Sequence, residues 1–258
     1  MSFPTVLLLG LLAGATILLG MPIGRLRSPS VRLRVGLTAG AVGVLLFLVW
    51  DVLSAAWEPI DALLSDKSDP GPLALNSVLF VVGIGVGLLS IPLIQRLTTR
   101  AQAHMETSPR RLAVFIAVGI GLHNFAEGLA IGQSAAIGEI GLATVLVIGF
   151  ALHNATEGFG ITAPLTADTH RPSWGFLLLL AAIAGGPTFV GTIVGWTFVS
   201  EQLSILFLSL AAGSIIYVVI QLLGMLAREK RAELVGYGVF LGLLAGFATD
   251  AILISAGV

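Results

Sequence analysis

Cysteine is absent from this chain of 258 residues, and charged residues make up only 10% of it. Without cysteine there is no disulfide framework and no thiolate metal site. Any transition-metal ligands must therefore be histidine, carboxylate, amide, hydroxyl, backbone or water. Soluble domains average about 25% charged residues, so a water-soluble fold of this size would lack polar surface. No basic patch interleaved with aromatic residues is present, which argues against a nucleic-acid partner.

Hydrophobic residues make up 56% of the chain, and its mean hydropathy is +1.01. Apolar runs of about 20 residues match the thickness of a bilayer, and only helices satisfy their own backbone in lipid without closing into a barrel. The sequence therefore predicts an all-α integral membrane protein, with residues 1–258 forming one polytopic domain in a lipid bilayer. The eight predicted helices cover residues 4–23, 35–57, 73–95, 112–136, 140–163, 174–199, 203–226 and 234–257.

The loops between these helices alternate in charge. Twelve of the thirteen Lys and Arg residues follow the first, third, fifth or seventh helix, and only Lys67 lies in a loop of the other set. Because positively charged loops remain in the cytoplasm, both termini are expected to be extracytoplasmic. The first helix is expected to be retained, since its first basic residue, Arg25, follows the apolar run. The expected location is the plasma membrane of a prokaryote.

One six-residue pattern, H-N-x-x-E-G, occurs twice, at 123–128 and 153–158. Both copies fall near the middle of their helices, which are antiparallel neighbours joined by a turn around Gly138. Because residues three and four apart share a helical face, each helix offers a His, an Asn and a Glu to one side. The candidate ligands are His123, Asn124, Glu127, His153, Asn154 and Glu157.

Two carboxylates at this depth need compensation. An ionised carboxylate at mid-membrane costs about 2.5–3.5 kcal/mol, and a dication between two of them offsets both that cost and their repulsion. Imidazole with carboxylate suits zinc, and also iron or manganese. Gly128 and Gly158 permit either close helix approach or water access beside the ligands. The simpler alternative is a pair of polar clamps between helices, worth about 0.6–2 kcal/mol each.

At these residues the sequence resembles the ZIP (Zrt/Irt-like) family of metal transporters, whose fourth and fifth helices carry H-N-x-P-E-G-type motifs. The runs at 129–132 (LAIG) and 163–165 (APL) look like the family's continuation of the two motifs. The family topology of eight helices with both termini outside covers the whole chain. The resemblance implies transport of divalent cations toward the cytoplasm, with zinc the first candidate. It also implies an elevator in which helices one, four, five and six slide against the other four, and a homodimer.

By resemblance, His123, Glu127, His153 and Glu157 form the primary metal site. A second, weaker site would use Asn124 and Asn154 and share the two glutamates.

The chain departs from the family pattern at several positions. Ala126 and Thr156 stand where the motifs have proline. Gly186 precedes Pro187 where helix six has a glutamate, so the second site is expected to be weak or vacant. Gln221 stands near the inner end of helix seven where members carry an acid, and it is the candidate exit residue. The metal preference stays open.

Two further acids, Asp51 in helix two and Asp250 in helix eight, fall in the outer third of the membrane. They are either a hydrogen-bonded or water-exposed pair near the interface, or an entrance relay that draws cations inward. The acidic loop after helix two fits the second interpretation.

Two alternatives to a metal carrier remain open. An intramembrane zinc hydrolase would need an open metal position and a water-activating base, and no H-E-x-x-H motif occurs. A metal sensor or a channel-like pore could use the same scaffold. The favoured interpretation is a transporter and not an enzyme, with the metal bound as its substrate.

Overall fold

The computed structural model describes seven stretches of the chain and most of the side chains within them. In α3, α5 and α8 some side chains, that of His153 among them, lie outside the described part. The described stretches are residues 2–26, 30–66, 70–99, 108–138, 140–168, 170–198 and 200–255.

Within these stretches the chain forms eight α-helices and three short 3₁₀ segments. The helices are α1 (Phe3–Ala15), α2 (Val31–Ser65), α3 (Pro70–Thr99), α4 (Pro109–Ala136), α5 (Ile140–Thr162), α6 (Trp174–Thr197), α7 (Glu201–Arg228) and α8 (Ala232–Ser255). The all-helical class and the number of helices predicted from the hydrophobic runs are confirmed.

Seven segments among the described residues are long and apolar enough to cross a membrane. They are α1 with its 3₁₀ extension, α2, α3, α4, α6, α7 and α8. The remaining helix, α5, has 23 residues and one charged group, Glu157. At 1.5 Å per residue its length is about 34 Å, which also exceeds the hydrocarbon thickness.

The first helix differs from the prediction of one α-helix over 4–23. The α-helical part ends at Ala15, and two 3₁₀ segments, Thr16–Leu19 and Met21–Arg25, continue it. The Thr16 hydroxyl donates to the Ala13 carbonyl at 2.6 Å and competes with the regular ladder. Pro22, at the start of the second segment, has no N–H to donate.

The second helix is longer than the predicted 35–57. It runs for 35 residues, from Val31 to Ser65, and passes through Pro59. Much of the predicted acidic loop, including Glu58 and Asp61, is therefore the last part of α2. Lys67 and Asp69 lie outside the described residues.

The helices pack in two groups. α4 packs most extensively against α6, and α1 and α5 join them, whereas α2 packs against α7 and α8, and α3 against α7. The main contacts between the groups are α4 with α7 and α2 with α5. Helices one, four, five and six thus contact one another, but α4 packs against α7 as extensively as against α5, and the elevator division implied by the resemblance stays a prediction.

Basic residues meet at the end of the bundle where α2, α4 and α6 begin, called here the basic end. Arg25 donates to the Pro172 carbonyl at 2.8 Å, and Arg34 pairs with Glu229 at 2.6 Å. The half of the bundle nearest this end is filled by a buried apolar cluster contributed by several helices. Members on α2, α4 and α7 include Val42, Ile116, Ile120, Ile215 and Val218.

Candidate metal site

The centre of the bundle holds a buried histidine between two carboxylates. His123 lies halfway along α4, and its Nε2 is 3.2 Å from Oε1 of Glu127, one turn later. The same Nε2 is 3.8 Å from Oε1 of Glu157 on α5. The three residues are 3%, 4% and 1% exposed. The structure therefore brings together three of the four primary ligands predicted from the sequence, while the side chain of the fourth, His153, lies outside the described part.

These side chains do not by themselves complete a coordination shell. Among the described residues, no group of three His, Asp or Glu side chains is arranged to hold a metal ion, and the trio of His123, Glu127 and Glu157 is no exception. Instead, His123 Nε2 occupies the space between the two carboxylates. Imidazole and carboxylate are ligand types that suit zinc, which is usually bound by four ligands. Three candidate primary ligands have described side chains here.

The carboxylates lack donors. All four oxygens of Glu127 and Glu157 are buried and have no hydrogen-bond partner among the described residues, and the 3.2 Å approach of His123 remains an ion-pair contact. An unsatisfied buried polar group costs about 1–3 kcal/mol, and a charged one more. A dication would supply the missing positive charge.

The motif asparagines tie α4 and α5 to their neighbours. Asn124 Nδ2 donates to the Ala184 carbonyl of α6 at 3.0 Å, and Asn154 Nδ2 donates to the Ala13 carbonyl of α1 at 2.9 Å. A carbonyl can only accept, so these contacts assign the amide orientations. Each Oδ1 is buried and has no partner in the described part of the chain. The asparagines therefore present two further oxygens in the core.

The motif glycines allow close helix approach. A Cβ at Gly128 would collide with the Thr188 carbonyl of α6, and one at Gly158 would collide with the Ile17 carbonyl. The sequence left close approach and water access open, and the structure decides for close approach. In the turn between α4 and α5, Gly138 has φ +89°, a conformation that glycine adopts without strain.

A cavity of about 340 Å³ leads to this cluster. His123, Glu127, Asp51 of α2 and Asp250 of α8 all line it. Its far wall includes Ser204, in the first turn of α7, and so reaches the end of the bundle opposite the basic end. Both acids that the sequence analysis singled out are thus in the same cavity as the site.

Sequence reasoning missed two polar residues of this cavity, Gln133 and Ser204. A signal existed for Gln133, because Ala126, Ala130 and Gln133 follow the i, i+4, i+7 spacing of one helical face, and all three line the cavity. No comparable spacing points to Ser204.

Two other positions lie away from the cluster. Gln221 is half-buried on α7, where its Nε2 donates to Tyr217 Oη at 2.9 Å, and it does not line the cavity. A Cβ at Gly186 would meet nothing within 4 Å. Gly186 lies at two surface grooves on the outside of α6. The structure therefore brings neither residue to the site.

The loop between α5 and α6 is held to α4. Arg110 Nε donates to Asp168 Oδ2 at 2.7 Å, and the backbone N–H of His170 donates to Oδ1 at 3.1 Å. Desolvation acts to raise the pKa of Asp168, but the His170 N–H and the Arg110 guanidinium together hold that pKa below its ordinary value.

Comparison with known families gives one assignment. The family described as ZIP zinc transporter matches residues 95–254, well over half of the chain, including both H-N-x-x-E-G motifs and Asp250. A comparison with curated proteins found no match. Together with the helical bundle and its buried His–Glu cluster, the family match sets aside the hydrolase interpretation. The chain belongs to the ZIP zinc transporter family and is a multi-pass membrane protein that transports metal ions, not an enzyme.

Proposed function

We propose that this protein carries divalent transition-metal cations, zinc first among them, toward the cytoplasm through a site at the centre of α4 and α5. The observation that carries the proposal is the buried group of His123, Glu127 and Glu157, of which His123 and Glu127 line the cavity. Carboxylates without donors in the core are stabilised when a dication binds between them.

The proposed primary ligands are His123, Glu127, His153 and Glu157. Imidazole nitrogen and carboxylate oxygen are ligands that zinc accepts in tetrahedral sites. A second, weaker position beside it takes the buried oxygens of Asn124 and Asn154 and shares the glutamates.

The cavity is the proposed entrance. Asp51 and Asp250 give it negative charge and concentrate cations at the mouth. Gln133 and Ser204 add neutral polar groups that can hydrogen-bond to the water around an entering ion. Both termini are proposed to lie on the side where this cavity opens, outside the cytoplasm of a prokaryotic cell, because the arginines gather at the other end.

The apolar half of the bundle favours a carrier over a pore. On the cytoplasmic side of His123, the described core is packed with aliphatic side chains, including Ile120 and Val218. An ion can leave only after the two helix groups move relative to each other, and Gln221 is the proposed exit residue after that movement. Homodimer formation and a single polytopic domain over 1–258 stay predictions from the sequence.

Zinc uptake into proteoliposomes tests the proposal. Purified protein is reconstituted with a zinc indicator inside the vesicles, and the uptake of wild type is compared with that of Glu127→Ala and Glu157→Ala. Both variants should lose saturable uptake. Glu233→Ala is the matched control, because Glu233 is exposed in the first turn of α8, away from the cavity. Uptake that survives both site substitutions would show that the site is wrongly assigned.

A further inference from the structure

An apolar groove runs along the outside of the bundle between α6 and α1 with its 3₁₀ extension. Its volume is about 230 Å³, and the described residues that line it are all glycine, alanine, leucine or isoleucine. At its floor the two helices meet backbone to backbone, because a Cβ at Gly14 would collide with the Gly185 carbonyl. Leu18 and Leu178 are exposed and form its walls. A groove of this composition offers no partner to an ion or to water, so hydrocarbon is the ligand that it fits.

One face of α6 continues the groove toward the basic end. Trp174, the exposed first residue of α6, shares this face with three residues that line the groove, Leu178, Ala182 and Gly185. From Trp174 to Gly185 the helix rises about 16 Å. One leaflet of a bilayer has a hydrocarbon layer of about 15 Å. The face therefore has the length of one acyl chain that lies in a single leaflet.

A cation lies where this face begins. Arg25 ends the second 3₁₀ segment, and its guanidinium lies 4.8 Å from the centroid of the Trp174 ring. Its Nη1 donates to the Pro172 carbonyl, and that is the one hydrogen bond described for a fork of five donors that suits phosphate. The one acid in the loop that carries Pro172 is Asp168, and it pairs with Arg110. Arg25 is thus held in place with its charge available to an anion from outside.

We propose that this groove binds an anionic phospholipid, with one acyl chain between α1 and α6 and the phosphate on Arg25. Tryptophan rings favour the membrane interface, which places Trp174 and Arg25 at the depth of the headgroups. Basic residues at the end of a membrane helix attract anionic lipids. The bound chain ties α1 to α6 from outside the bundle. The site is separate from the metal cluster, so it does not depend on which ion the protein carries.

Thermal unfolding of the purified protein in a neutral detergent tests this site. Dioleoyl phosphatidylglycerol, dioleoyl phosphatidylcholine and glycerol 3-phosphate are titrated separately, and the rise of the unfolding midpoint gives an apparent affinity for each. Wild type should bind phosphatidylglycerol about fivefold more tightly than phosphatidylcholine, which is the factor that one cation near the surface contributes. Glycerol 3-phosphate should leave the midpoint unchanged, because it has no chain to enter the groove.

Two variants separate the headgroup from the chain. Arg25→Gln should remove the preference for phosphatidylglycerol and leave phosphatidylcholine binding unchanged. Its matched control is Arg32→Gln, since Arg32 is exposed in the first turn of α2, which lines no described part of the groove. Ala182→Leu should weaken both lipids, about fourfold for each methylene that it displaces from the groove. Its matched control is Ala245→Leu, at an exposed position on α8, which should change neither affinity.

The lipid-dependent rise is measured against the lipid-free midpoint of the same variant, so a less stable variant still gives a result. The proposal is overturned if wild type does not prefer phosphatidylglycerol, or if Arg25→Gln retains that preference. An equal loss in Arg32→Gln would overturn it as well, because general attraction to the basic end would then explain the result. A rise with glycerol 3-phosphate alone would indicate a free-phosphate site instead. Equal lipid affinities of Ala182→Leu and Ala245→Leu would show that no chain occupies the groove.

Discussion

Nε2 of His123 on α4 lies 3.8 Å from Oε1 of Glu157 on α5, and this contact joins the two copies of a motif that are thirty residues apart in the sequence. Neither copy alone gathers enough ligands for a transition metal. The pairing of α4 with α5 converts two short patterns into one buried cluster. It also places Glu157 beside His123, which lines the cavity together with Glu127.

Neutralising one buried carboxylate should raise the stability of the protein and lower its transport activity. Glu157→Gln keeps the side-chain shape and removes a charge that has no described donor. We expect the metal-free protein to become more stable by about 1–3 kcal/mol, because a buried carboxylate without a hydrogen-bond donor is costly in the core even when His123 lies 3.8 Å away. Zinc uptake should fall at least tenfold. Thermal unfolding in detergent and proteoliposome uptake measure the two effects. A variant that is less stable than wild type, or that transports normally, would contradict this.

Metal affinity should fall as the pH is lowered. Carboxylate and imidazole ligands bind metal only when deprotonated, so protons compete for the site. Each proton released on binding makes the apparent affinity about tenfold weaker per pH unit in the range where that ligand titrates. Zinc titration of purified protein between pH 8 and 5 measures the slope. An affinity that stays flat across this range would rule out the proposed ligands.

Asp51 and Asp250 in the cavity should affect the binding of zinc from solution more than the maximal rate of transport. Asp51→Asn and Asp250→Asn each remove a negative charge from the entrance without touching the His–Glu cluster. We expect KM for zinc to rise several-fold at low ionic strength with little change in maximal rate, because an attracting field raises the local ion concentration. The difference should shrink in high salt. Asp61→Asn, an exposed position on α2 outside the cavity, is the control. An equal effect at Asp61 would exclude a specific entrance.

The glycine after each motif glutamate should not tolerate a methyl group. In Gly158→Ala the new Cβ would collide with the Ile17 carbonyl of the 3₁₀ segment. Overpacking of this kind costs about 1–3 kcal/mol. Gly160→Ala is a matched control on the same helix, because its Cβ would meet only Ala41, at 3.8 Å. It should be neutral or slightly stabilising, since alanine favours helix. Equal stabilities of the two variants would contradict the close packing of α1 on α5.

The Arg110–Asp168 pair should contribute little to the free energy of unfolding, and it should do so only above acidic pH. The folded pKa of Asp168 is below its ordinary value, so the contribution is present at neutral pH and is lost as the pH falls through that lowered pKa. Because Arg110 is half-exposed, Asp168→Asn should cost less than about 1 kcal/mol at pH 7. Thermal unfolding of wild type and variant should converge below about pH 3. A difference that grows at low pH would contradict this assignment.

The sequence by itself determined the class of the protein and most of its site. Long apolar runs leave helices as the practical way to satisfy the backbone in lipid, so the eight helices could be predicted. The duplicated motif singled out His123, Glu127 and Glu157, because buried charge in such runs is costly and needs a reason. Asp51 and Asp250 were identified on the same argument.

Only the tertiary structure decided how these residues are used. Which carbonyl the amide of Asn124 reaches depends on the packing of α4 against α6. That the 3₁₀ segments after Ala15 lie against α5, whose backbone meets Gly20, is likewise a matter of tertiary packing. Helical periodicity assigns residues to faces of one helix. It does not say which face of another helix they meet, because that is set by close packing between segments distant in the chain.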